Sequence, residues 1–235
     1  MFKPKPLLIE FGVNDYRLSP PKPAKGYIPE WYKKSPKYKD YSNEQKVGSK
    51  LRENNKGIKY CMPFLDTLTH GYMAELWCDV QIYRTPNGPE IHWEIDPTVL
   101  AAREPEGMEH LPIPAGHLGT HFVWKNPYSI KTPPGYSVLI THPLNRFDLP
   151  FTTLSGISDA DSFMPPGNLP FYLREDFEGI IPAGTPMFQI IPIKRENWTS
   201  SLNKDLYEVG QKRIWKSLAH TGFYKDNLWT KKNFE

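Results

Sequence analysis

Proline and glycine decide what this chain can become. Twenty-five prolines and sixteen glycines interrupt its 235 residues, often inside turn-forming runs such as Pro86-Asn87-Gly88 and Pro134-Gly135. Proline fixes φ and removes a backbone donor, and glycine supplies turn conformations that other residues avoid. A helical bundle is therefore excluded, and short strands joined by many turns remain. The hydrophobic fraction of 39% is low for a large core, but aromatic residues at 14% supply bulk.

Four stretches differ in character. Residues 1–57 form a basic, Pro/Lys-rich arm with one expected strand at Leu7–Phe11. Residues 58–100 predict a turn or short helix at 63–70, a strand from Tyr72 to Tyr83, and a hairpin at Pro86-Asn87-Gly88. In the returning strand GPEIHWEID, alternation places Ile91, Trp93 and Ile95 on one face and His92, Glu94 and Asp96 on the other. Further strands are expected in FVWKNPYSIKT, PPGYSVLITHP, LPFYLRE and PMFQIIPIK. After residue 198 the pattern changes: Leu202, Leu206, Val209 and Trp215–Leu218 recur near helical spacing, with Gly222 as a stop. The expectation is an all-β core domain over 58–198, a distorted barrel or sandwich, with a C-terminal α-helix and tail over 199–235. The arm and the helix would wrap the body or a neighbouring copy.

Charge is unevenly spread. Residues 1–60 hold 14 Lys/Arg against 6 Asp/Glu, although the whole chain is only +3. In IPEWYKKSPKYKDY, aromatics alternate with lysines, which suits stacking on single-stranded nucleic acid and equally suits anchoring an arm to a body. No stretch is long and apolar enough to span a bilayer, and MFKPKP does not resemble a signal peptide, so a soluble cytoplasmic protein with no membrane partner is expected. Cys61 and Cys78 lack metal or redox spacing and read as buried thiols.

Several groups could carry chemistry. Asp159 and Asp161 in PFTTLSGISDADSF share a face if extended, about 7 Å apart, which suits paired acid/base work or Mg²⁺; a turn with Asp capping backbone N–H groups is the other reading. His92 and Glu94, with His142 fifty residues on, match a loose facial triad for non-haem Fe; the alternative is the solvated face of a strand. His117 and His121 are four apart, about 13 Å on a strand, too far to share a metal directly. No Ser/His/Asp elbow or phosphate-cradling glycine loop is present.

The run TPPGYSVLITHPLNRF, then FTTLSGISDAD, then GIIPAGTPMFQIIPIKRE resembles a phage and bacterial protein family that carries no established function. KYCMPFLDTLTHGYMAELWCDV resembles the same family's upstream element, so the likeness covers about residues 58–198. That core is in turn similar to the dUTPase β-clip fold, whose motif order matches Pro134-Gly135, His142-Pro143-Leu144-Asn145, Gly156-Ile157-Ser158-Asp159-Ala160-Asp161 and Gly184-Thr185-Pro186-Met187-Phe188-Gln189. The resemblance implies that Asp159 matches the water-activating carboxylate and that Gln189 lies near the phosphate shell. It also implies self-association, since β-clip relatives are typically trimers.

Departures from the dUTPase pattern are large. Pro-Leu-Asn stands where Arg-Ser-Ser holds phosphate, Arg146 lying just beyond, and Ser162 stands in place of the stacking tyrosine. Phosphoryl transfer depends on such positioned donors, so an active dUTPase is not expected. The leading expectation is a phage-type accessory protein. Its β-clip-like pocket, near His142, Asn145, Arg146, Asp159, Asp161 and Gln189, would bind a small anionic or nucleotide-like ligand, with hydrolysis left open. A non-enzymatic assembly protein is the alternative, and an Fe oxygenase using His92, Glu94 and His142 the third.

Overall fold

The chain breaks at nearly every expected turn, and the short strands pair antiparallel throughout. The computed structural model describes residues 6–13, 15–38, 57–94, 98–103, 110–219 and 222–235. Its first pair joins β1 (Glu10–Val13), three residues later than the expected Leu7–Phe11 strand, to β8 (Tyr128–Lys131). A five-stranded sheet runs β11 (Gly156–Ser158), β9 (Tyr136–Thr141), β14 (Pro186–Lys194), β3 (Tyr72–Glu75), β2 (Lys22–Pro23). A four-stranded sheet runs β10 (Phe151–Thr153), β12 (Asn168–Arg174), β7 (His117–Lys125), β6 (Leu100–Arg103). A third runs β13 (Gly179–Ile181), β4 (Val80–Thr85), β5 (Gly88–His92). Every sheet keeps two open edges among the described residues, so the body is all-β without a closed barrel.

The hairpin at Pro86-Asn87 forms as expected, with Thr85 opposite Gly88. Alternation also holds beyond it, since Ile91 and Trp93 pack on the core while His92 and Glu94 are exposed. Ile95 and Asp96 lie outside the described residues. The single strand expected over 72–83 is instead two strands in different sheets. Long-range bonds cause the break: Leu76 N–H donates to Thr185 O at 2.9 Å, Gly184 N–H to Leu76 O at 2.8 Å, and Ala183 N–H to Asp79 Oδ1 at 2.7 Å. The chain turns this corner with Leu76 and Cys78 buried; Cys61, expected inside, is exposed just ahead of a helix.

An aromatic stack sets the core. Trp124 and Phe171 stack with ring centres 3.8 Å apart and planes nearly parallel, with Phe151 edge-on to Trp124 at 4.9 Å. All three are buried, so the indole N–H needs a protein partner. It donates to Thr153 Oγ1 at 3.1 Å, and that hydroxyl donates to Met187 O at 2.7 Å. Thr153 belongs to β10 and Met187 to β14, so one hydroxyl ties the four-stranded sheet to the five-stranded one.

Four helices flank the sheets among the described residues: α1 (Glu30–Lys34), α2 (Met62–Thr69), α3 (Leu206–Ala219) and α4 (Phe223–Asn227). Helix α2 stops where Gly71 turns the chain into β3 at φ +72°, with a Cβ there only 2.1 Å from Ile190 O. No larger residue fits that approach. Two aromatics of the arm reach the body, where Tyr32 stacks on Phe64 of α2 at 6.0 Å and the Trp31 indole donates to Asp148 at 3.3 Å, whereas Tyr16 and Tyr38 are exposed. Of the expected nucleic-acid stretch, residues 39–41 lie outside the described residues. At the other terminus, Trp229 Nε1 donates to Asp66 at 3.0 Å, Lys232 reaches the same carboxylate at 2.6 Å, and Phe234 packs edge-on against His70 at 4.7 Å. No helix among the described residues is long and apolar enough to cross a membrane.

Replacing Thr153 by valine keeps the shape but orphans the Trp124 N–H and loses the bond to Met187 O. Urea unfolding of Thr153→Val should show a loss of about 1–3 kcal/mol with an unchanged m-value.

Candidate functional site

The residues singled out from the sequence fall into two clusters along the β9–β14 ladder. Thr141 faces Gln189 near one end and Ser137 faces Ile193 near the other. Four residues of strand separate them, about 13 Å. His142, Asn145, Arg146 and Gln189 gather at the first position, Asp159 and Asp161 at the second. The structure therefore does not assemble the six into one pocket.

Gln189 is the centre of the first cluster. It is fully buried, and all its polar capacity faces protein: its Oε1 accepts Leu144 N–H at 2.9 Å, and its Nε2 donates to Thr67 O at 3.0 Å and His70 O at 2.6 Å. The last two are carbonyls at the end of α2 that a helix leaves unpaired. Asn145, in the left-handed region at φ 59°, donates to Thr67 Oγ1 at 2.6 Å. Arg146 forks onto Asp148, both bonds at 2.9 Å, and also reaches Tyr27 O at 3.4 Å. Thr153 N–H donates to His142 Nδ1 at 3.3 Å, so the neutral ring carries its proton on Nε2, which donates to Arg146 O at 3.0 Å. Burial pushes the His142 pKa below the ordinary histidine value. The arrangement binds a loop to a helix and leaves no guanidinium or amide turned outward for a phosphate.

The second cluster answers what the two aspartates do. Asp161 accepts Gly135 N–H at 2.8 Å and takes both terminal nitrogens of Arg195, one of them at 2.9 Å. Those hydrogen bonds from Arg195, with the Gly135 N–H adding to them, hold its pKa at about 2. Asp161 thus clamps the Pro134-Gly135 turn, where Gly135 sits at φ +83°, to the end of β14. Asp159 accepts Ser137 Oγ–H at 2.6 Å and lies 3.2 Å from Arg195, while its carbonyl accepts Ser162 and Phe163 N–H. Asp161 fits the turn reading, its carboxylate capping the Gly135 N–H, whereas the Asp159 carboxylate meets the Ser137 hydroxyl and Arg195, whose guanidinium bridges the two carboxylates. Only the Asp159 side chain stays largely open, 60% exposed against 11% for Asp161. It opens on a shallow depression of about 390 Å³ shared with Ile157, Ile193 and Asn197.

The facial triad for Fe is not assembled. His142 has both ring nitrogens committed, while His92 lies exposed on the β5 hairpin beside Glu90 at 3.8 Å and Tyr83. Among the described residues no group of three or more His, Cys, Asp or Glu is placed to hold a metal ion. His117 bonds Thr152 and Ala115, whereas His121 is buried with both ring nitrogens unpartnered among the described residues. Sequence reasoning missed Arg195, Ser137 and Thr67, which complete the two clusters. Arg195 had a signal: it follows directly on the last apolar strand, where a side chain can reach the neighbouring turn.

No family model and no curated protein matches the chain.

Burial lowers the pKa of His70, His121 and His142 alike from the ordinary 6.5. Each therefore contributes stability that is complete above about pH 6.5 and lost as pH falls toward the depressed folded value. The urea midpoint should drop between about pH 7.5 and pH 5, and the drop should be shallower in His142→Gln.

Proposed function

We propose that this chain is a non-enzymatic interaction protein, a rigid β body that presents its C-terminal helix for assembly. One observation carries the reading. Along α3 the large side chains Leu206, Tyr207, Ile214 and Trp215 are 63%, 73%, 52% and 65% exposed. Leu202 and Trp198, on the approach to it, are more exposed still. Several large apolar side chains left exposed on one short helix and its approach mark a contact surface by the usual behaviour of soluble proteins. In the body, by contrast, the donors nominated for a ligand are spent internally. The likeness to a phage and bacterial family fits an accessory role of this sort, and self-association fits the β-clip likeness.

A small anionic or nucleotide-like ligand at the Asp159 depression is the competing reading, and the two separate cleanly. Calorimetric titration with a non-hydrolysable dUTP analogue and Mg²⁺ should give no saturable heat. The double variant Leu206→Ser/Ile214→Ser should lose concentration-dependent association in sedimentation while keeping its body's unfolding transition. Saturable nucleotide binding abolished by Asp159→Asn, with association unaffected by the double variant, would reverse the assignment. Deleting residues 1–57 is a poorer test, because it strips buried Tyr32 from its packing.

A further inference from the structure

After Glu196 the chain leaves the body, and among the described residues it bonds the body again only at Trp229. From Trp198 to Leu228 no described residue is buried, and the hydrogen bonds of the described residues stay within 198–229. Residues 229–235 behave differently. Trp229 Nε1 and Lys232 Nζ both donate to the Asp66 carboxylate of α2, at 3.0 and 2.6 Å. Phe234 stands edge-on to His70 at 4.7 Å and to Tyr72 at 5.7 Å, and the Tyr72 hydroxyl donates to Glu235 O at 3.3 Å. Phe11 closes the same aromatic group from β1, edge-on to Tyr72 at 5.3 Å. Helix α2 with β3 and β1 thus forms a seat for an indole, an ammonium and a phenyl ring, and the group seated there is this chain's own tail.

We infer that two copies of this chain exchange tails, each seating its residues 229–235 on the Asp66–His70–Tyr72 surface of the other; this rests on the assembly reading above. The seat does not register which body a tail came from, because its contacts are confined to residues 229–235. Exchange of an identical element is a low-cost route to a dimer, since each contact it makes is already made within the single chain. It also closes on itself: both seats are filled and no tail is left over. Closing the tail on its own body orders a connector that packs on nothing, which costs conformational entropy with no contact to offset it. That closure leaves Trp198, Leu202, Leu206 and Ile214 in water, whereas two exchanged connectors have each other. Reach is not limiting, as α3 by itself spans about 21 Å.

Sedimentation of the full chain across a wide concentration range tests this with two charge reversals, read singly and mixed. The wild type should dimerise reversibly. Asp66→Lys and Lys232→Glu each set like charges in both seats of a pair, and each should weaken the dimer about tenfold or more. Refolded together one to one, the two variants should dimerise again. In the mixed pair the Lys232→Glu tail meets the Asp66→Lys seat, and the two native partners fill the other. Tails seated on their own bodies gain nothing from mixing. A second readout needs no variant: carbodiimide coupling of Lys232 to Asp66, in heavy-isotope-labelled and unlabelled wild-type chains refolded together, should give mixed-isotope crosslinks. Crosslinks within single chains only, or a variant mixture no better than its components, would overturn exchange while leaving self-assembly standing elsewhere. A wild type that stays monomeric at every concentration would overturn both.

Discussion

A fully buried carboxamide, that of Gln189, ties helix α2 and the loop after β9 to the five-stranded sheet. A buried amide must find partners for its donors and acceptors or cost the molecule its desolvation. Gln189 meets that demand by capping the carbonyls at the end of α2 and fixing the loop that carries Asn145 and Arg146. Its position on β14, directly opposite Thr141, anchors α2 to the middle of the five-stranded sheet. Both chain ends then use α2 as their platform. The arm brings Tyr32 onto Phe64, and the tail brings Trp229 and Lys232 onto Asp66.

The dUTPase-like order of motifs names residue types without saying where their donors are spent. Histidine, asparagine, arginine and glutamine are the residues that hold phosphates, and for the same donor chemistry they are the residues that hold loops. Residue type and order are equal in the two cases. What differs is where each donor is spent, and here Arg146 is spent on Asp148 and Arg195 on Asp161. The second of these pairs joins residues 34 positions apart, and no local pattern announces it.

Strand existence was legible because alternation and turn chemistry are local. The hairpin at Pro86-Asn87, the two-faced pattern of Ile91 and Trp93 against His92 and Glu94, and the C-terminal helix all follow from spacing. Strand ends were not. The corner at Leu76–Asp79 is made by backbone bonds from Leu76 to Thr185 and Gly184 and by the Asp79 carboxylate accepting Ala183 N–H, all more than a hundred residues away. Helix α3 begins at Leu206 rather than Leu202, after the short turn in which Asp205 N–H is held by Asn203 Oδ1 at 3.0 Å. Such boundaries belong to tertiary contacts, and a periodicity read from one sequence averages over them.

The body and α3 make opposite use of their side chains. In the body, polar groups are paired inward almost to exhaustion, down to a threonine hydroxyl that serves an indole and a carbonyl at once. On α3 the large side chains Leu206, Tyr207, Ile214 and Trp215 are exposed, and the helix carries a glycine that lowers its own stability. A helix of fourteen residues is marginal in water without tertiary packing. Its large apolar side chains are exposed here, so tertiary packing gives it little of the support that a helix of this length ordinarily draws from a core.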